Sequence, residues 1–183
     1  MILDTKNFEI SGVKLFSIKS YKDNRGLFSE VFLSKLDYPE FKIEYVQENE
    51  SISNFGVFRG MHLQKGNDSQ SKLIRVVKGK VIDVVCDLRK SSSTFKKNIF
   101  IELNPNQLLF VPKGLAHGFL SLQEGTILNY KCDNYYNRNS ETGFNLFESK
   151  LEIVFPLESD DIIMSNKDKS LPDLDNSYIY EDL

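Results

Sequence analysis

This 183-residue chain contains two histidines. His62 lies in "VFRGMHLQ", three residues after Arg59. His117 lies in "VPKGLAHGFLSL", behind Pro112 and Gly114 in the spacing P-x-G-x-x-H. Imidazole titrates near neutrality, so each can take and return a proton or ligate a metal. A catalytic metal commonly needs three protein ligands. Gln64 stands two positions after His62, where a His-x-His pair would put its second ligand, and no carboxylate adjoins either histidine. No metal is therefore expected. Arg59 and His62 are three apart, while strand side chains alternate faces, so a local bend at Gly60 would be needed to bring both to one cavity.

The surrounding sequence is mostly of β type. "VKLFSIKSY" and "GLFSEVF" flank the turn "KDNRG"; "KIEYVQENESIS" is a strand with a polar end; "LSKLDYPEF" is a short helix or a loop. In "KLIRVVKGKVIDVVCDLR", Lys78-Gly79 marks a tight turn between two strands. "NIFIELN", "QLLFVP", "HGFLSL", "TILNYKCDNYY" and "LEIVFP" follow as further strands. Many short strands at regular spacing predict an all-β sandwich or barrel. The length suggests one domain over residues 1–183, and the polar stretch 157–183 is expected to strap it, with a short helix. A hydrophobic fraction of 40% and 14 Phe can fill a core, and a net charge of -3 disfavours a nucleic-acid partner. No apolar run reaches the roughly 18 residues of a membrane span, and "MILDTKNFEI" does not read as a signal peptide. Cys86 and Cys132 fit no zinc spacing and read as reduced core residues, which points to the cytoplasm.

The Pro112–Gly114–His117 pattern resembles the second motif of the cupin superfamily, which implies a double-stranded β-helix, or jelly roll, with short peripheral helices. "DNRGLFSEVF", "YVQENES", "GVFRGMHLQ", "QSKLIRVVKGKVIDVVCDLRKSSSTF", "VPKGLAHGFLSL", "YKCDNYY" and "SNKD" together resemble the dTDP-4-dehydrorhamnose 3,5-epimerase family, from about residue 8 to 172. The resemblance implies a cofactor-independent isomerase of a nucleotide-linked 4-keto-6-deoxyhexose, in rhamnose-type sugar biosynthesis. Inversion at carbon 3, and at carbon 5, would proceed through an enolate. It implies His62 as base, Asp168 as its carboxylate partner, Tyr130 as acid and Lys72 as the cation beside the enolate oxygen. Arg25, Phe28, Glu30, Gln47, Asn49, Arg59, His117 and Tyr135 are implied ligand contacts. A homodimer is implied too, in which the N-terminal strand carries Arg25, Phe28 and Glu30 into the partner's site. Where family members often carry Trp, this chain has Leu146, Phe147 and Phe155, which leaves open the nucleotide and whether carbon 3 alone is inverted. A metal-dependent cupin oxygenase or isomerase and a non-catalytic sugar-binding cupin are the competing readings.

Overall fold

The computed structural model describes residues 2–181, so residues 1, 182 and 183 of the expected domain and strap lie outside the described residues. The strands are β1 (Ile2–Asn7), β2 (Lys14–Ile18), β3 (Ser20–Asp23), β4 (Gly26–Ser29), β5 (Gln47–Ser53), β6 (Phe58–Gln64), β7 (Lys72–Lys78), β8 (Val81–Asp87), β9 (Asn98–Leu103), β10 (Gln107–Val111), β11 (Leu115–Ser121), β12 (Thr126–Cys132) and β13 (Glu141–Gly143), followed by one helical turn, α1 (Asn166–Lys169). They form an antiparallel jelly roll, as expected. One sheet runs β1-β2-β10-β7-β12-β5, the other β13-β6-β11-β8-β9, and β3-β4 is a separate hairpin.

Strand alternation divides the apolar residues among three layers. Leu15, Ile74, Val76, Leu109 and Leu128 of the six-stranded sheet meet Val81, Val85, Ile101, Leu115 and Phe119 of the five-stranded sheet in the central core. Their neighbours point the other way. Phe16, Leu73, Leu108 and Phe110 are covered by residues of the 31–45 segment, including Phe32, Phe41 and Tyr45. Phe58, Met61, Val84, Cys86, Ala116 and Leu120 are covered by Leu146, Phe147, Phe155, Ile162 and Met164. Both sheets are thus buried on two faces over much of their area, which explains the nearly continuous apolar runs in the sequence.

Three local expectations need correction or refinement. "LEIVFP" is not a strand: residues 151–155 lie outside regular structure. Leu151, Ile153 and Phe155 nevertheless pack on the second core, so their alternation marks one-sided burial without ladder pairing. Lys78-Gly79 does separate two strands, but β7 and β8 belong to opposite sheets, so the turn is a crossing between layers and not a hairpin. "LSKLDYPEF" is mainly loop, with a single 3-10 turn at Pro39–Phe41. No helix among the described residues is long and apolar enough to cross a membrane.

Candidate active site

Between the sheets the inward positions turn polar at one end. On β5, partly buried Gln47, Asn49 and Ser51 and buried Ser53 alternate with exposed Glu48, Glu50 and Ile52. On β7, Lys72 shares the inward parity of Ile74 and Val76; on β12, Tyr130 shares that of Leu128. A cavity of about 490 Å³ is lined by Arg59, His62, Lys72, His117, Tyr130 and Asp168, among others. A second, of about 210 Å³, shares His62, Lys72 and Tyr130 and continues to Gln47, Asn49, Gln64, Tyr136 and Glu141.

The bend expected at Gly60 is present as a strand bulge. His62 pairs with His117 and Arg59 with Phe119, so three steps along β6 match two along β11. The extra residue resets the alternation, and Arg59 and His62 both line the cavity while Met61 faces the outer core, with Phe58 packed in that core and touching the cavity's edge. Glycine is required there: φ is +136°, and a Cβ would lie 2.5 Å from Gly118 Cα.

Asp168 reaches His62 from 106 positions away. Residue 163 lies alongside the start of β6: Phe58 N donates to Ile163 O at 2.9 Å, and Ile163 N to Gly56 O at 2.9 Å. That docking delivers α1 to the cavity. Ser165 caps the turn, its Oγ accepting Asp168 N–H at 3.0 Å. Asp168 is buried and places Oδ1 2.8 Å from His62 Nε2. Burial raises its pKa, but hydrogen bonds from His62, Gly60 N–H and Ser165 outweigh this and hold the carboxyl below its usual range. With Nε2–H given to Asp168, the His62 lone pair is left on Nδ1.

A second pair lies deeper. His117 Nε2 is 2.8 Å from Asp83 Oδ2, and both residues are buried. Removal from water pushes the Asp83 carboxyl up and the His117 imidazole down, against their mutual attraction. Lys72 makes no ion pair among the described residues, and its Nζ stands 5.9 Å from the centre of the Tyr130 ring. Burial lowers its pKa, opposed by Cys132, Asp83 and Glu141. Burial raises that of Tyr130, helped by Cys132 and Glu141 and opposed by Arg59. Its phenol is therefore a proton donor at neutral pH. Among the described residues no three His, Cys, Asp or Glu side chains gather as a metal-ligand set.

Of the residues singled out in the sequence, His62, Tyr130, Asp168, Lys72, Arg59, His117, Gln47 and Asn49 surround these joined cavities. Arg25, Phe28, Glu30 and Tyr135 line neither. Arg25 sits on the β3–β4 hairpin paired with Asp23, and Phe28 is 64% exposed. Tyr135 is 67% exposed, while its neighbour Tyr136 lines the smaller cavity. Asp83, Tyr136, Glu141 and Lys167 were not anticipated. Asp83 had a signal, a lone carboxylate inside the apolar run "VIDVVC". Glu141 Oε2 accepts from Tyr136 Oη and pairs with Lys167 Nζ, contacts that join β13 to the loop before it and to α1 and that spacing does not encode.

The dTDP-4-dehydrorhamnose 3,5-epimerase family model matches residues 7–176. The chain belongs to that family. A dTDP-4-dehydrorhamnose 3,5-epimerase of Methanothermobacter thermautotrophicus is 36% identical over 175 residues, which cover 93% of this chain and 94% of the relative. The crystal structure of the Elizabethkingia anophelis enzyme of the same name superposes with a TM-score of 0.87 at 36% identity, over 96% of this chain and 98% of that one. The Legionella pneumophila dTDP-6-deoxy-D-glucose-3,5-epimerase, solved in complex with dTDP-4-keto-L-rhamnose, gives a TM-score of 0.87 at 35% identity, over 94% of this chain and 93% of that one. Leu146, Phe147 and Phe155 belong to the core behind the five-stranded sheet and line neither cavity described above.

Proposed function

We propose that the chain is an epimerase of a dTDP-linked 4-keto-6-deoxyhexose, acting at carbons 3 and 5 in rhamnose-type sugar biosynthesis. The observation that carries this is the His62–Asp168 pair at 2.8 Å, in a cavity that also exposes Tyr130 and Lys72. The ketone at carbon 4 acidifies the hydrogens on carbons 3 and 5. His62, with Nε2–H held by Asp168, takes a proton at Nδ1, and the C–H electron pair becomes an enolate. Asp168, ionised across the neutral range, stabilises the imidazolium that forms. Lys72 offers positive charge to the enolate oxygen. Tyr130, protonated, gives its hydrogen to carbon from the opposite face, and that stereocentre is inverted. Arg59 binds a phosphate oxygen.

The metal-dependent cupin reading lacks a ligand set among the described residues. The non-catalytic reading leaves unexplained why a base, a phenol and a cation share one cavity. We further propose a homodimer: the β3–β4 hairpin, with exposed Tyr21, Leu27 and Phe28, carries Arg25, Phe28 and Glu30 into the partner's cavity. A cytoplasmic location is supported by two buried cysteines, both free.

The test is turnover of dTDP-4-keto-6-deoxyglucose in heavy water, with deuterium located by NMR. Label at carbons 3 and 5 with inverted configuration is expected. Label at carbon 3 alone would make the enzyme a mono-epimerase, and no label would reject the reading.

A further inference from the structure

Gln64 occupies the position where a metal-binding cupin would carry a histidine, yet its carbonyl does not point to an open ligand site. It is buried, and its Oε1 accepts the backbone N–H of Asn137 at 3.0 Å. The preceding N–H, that of Tyr136, is accepted by Gln47 Oε1 at 2.8 Å. Gln64 belongs to β6 in the five-stranded sheet and Gln47 to β5 in the six-stranded sheet. Two consecutive peptide groups are therefore held by two amides from opposite walls, and the segment so held contributes Tyr136 to the wall of the smaller cavity.

Other contacts along the segment hold it to its flanks. Gln70 Nε2 donates to Asn134 O at 2.8 Å, Asn137 Nδ2 to Asp68 Oδ2 at 2.8 Å, and Lys65 N to Ser140 O at 2.8 Å. Among the described residues, only the two glutamines tie the Tyr136–Asn137 backbone to both sheets. Tyr136 in turn lines the cavity and donates to Glu141. Among the described residues no hydrogen bond joins this set to the His62 side chain, the Tyr130 hydroxyl or the Lys72 ammonium, while Glu141 acts on Lys72 and Tyr130 through its charge; the two glutamine contacts therefore bear on where the ligand rests.

We propose that Gln47 and Gln64 are a pair of positioning residues whose side-chain carbonyls fix the 133–140 segment, and with it Tyr136, against the smaller cavity, and that they thereby set affinity for the nucleotide sugar. The affinity half rests on the epimerase reading; the clamp itself does not. An amide that loses its only acceptor is exposed to exchange and to local opening, and one neutral hydrogen bond corresponds to about tenfold in binding.

The experiment uses full-length Gln47→Met, Gln64→Met and the double variant, each checked for an unaltered melting transition. Hydrogen exchange is measured on ligand-free protein. The Tyr136 amide should exchange at least about tenfold faster in Gln47→Met, and that of Asn137 in Gln64→Met. With dTDP-4-keto-6-deoxyglucose, each single variant should raise KM about tenfold and keep kcat within about twofold. The double variant should raise KM by less than the product of the two, because both residues hold one segment. Unchanged exchange would overturn the clamp. Faster exchange with unchanged KM would overturn the affinity role, as would a fall in kcat with KM constant. Calorimetric titration with dTDP replaces KM if the wild type turns nothing over, so a failed epimerase reading does not mask the outcome.

Discussion

Replacing Lys72 by methionine should separate stability from activity. The side chain keeps its length and apolar stem but loses a charge that forms no ion pair among the described residues and whose pKa burial pulls down. A cation held in that way costs folding free energy, so Lys72→Met should melt at the same temperature or higher. The same charge, about 4 Å from an enolate oxygen at an effective dielectric of about 20, is worth about 4 kcal/mol of transition-state stabilisation, or roughly 10³ in rate. Water entering the vacated space recovers part of this, which fits the usual loss of about 10²–10³ for one oxyanion contact. The ground-state ketone carries little charge, so KM should change far less than kcat. Calorimetric melting and initial rates on dTDP-4-keto-6-deoxyglucose measure both quantities. A variant that melts lower and turns over within about threefold of wild type would refute the reasoning, since Lys72 would then be a structural cation.

His62→Asn should keep the fold and stop deuterium uptake at both carbons, because the other imidazole of the cavity, His117, is buried against Asp83 and burial lowers its basicity. Tyr130→Phe keeps the ring in place and should allow exchange without inversion at one or both carbons; wild-type inversion there would remove Tyr130 as the acid. Asp168 has a folded pKa below its unfolded value of about 3.9. The stability it contributes is therefore complete above about pH 5 and lost as pH falls through the folded value. The gap in melting temperature between wild type and Asp168→Asn should accordingly narrow from pH 6 to pH 3, and a constant gap would contradict the pairing. Exhaustive chelation should leave turnover unchanged, and loss restored by a divalent ion would require another mechanism.

The parts of this molecule legible in the sequence were those written in local pattern. Alternation exposed the strands, and short motifs marked His62 and His117, while Lys72 and Tyr130 stood out only through the family resemblance. Arg59 could be placed beside His62 because Gly60 allows a bend. The "LEIVFP" segment was misread because one-sided burial imposes the same alternation whether or not a ladder forms. The β7–β8 turn was legible as a turn, but which sheet each strand joins depends on partners far along the chain. Tyr135 and Tyr136 are adjacent and identical in type, so pattern cannot say which faces the cavity; two backbone hydrogen bonds to glutamines decide it. Asp83 was readable in principle, since a carboxylate within an apolar strand must find a partner.

The bulge at Gly60 makes β6 behave like a coding frame. Straightening the strand here with every residue kept would be better by every local measure of sheet regularity. Downstream of residue 60, however, every residue would change sides. Met61, now wholly buried, would turn toward the sugar, and His62 would be driven into the apolar layer behind the sheet. Regularising the backbone would thus exchange the base for a thioether without altering any residue in the chain. Losing Gly60 together with the bulge would restore the frame, since Arg59 and His62 would then stand two apart on one face. Design that treats the bulge as a mere irregularity would miss that it is a frameshift in side-chain orientation.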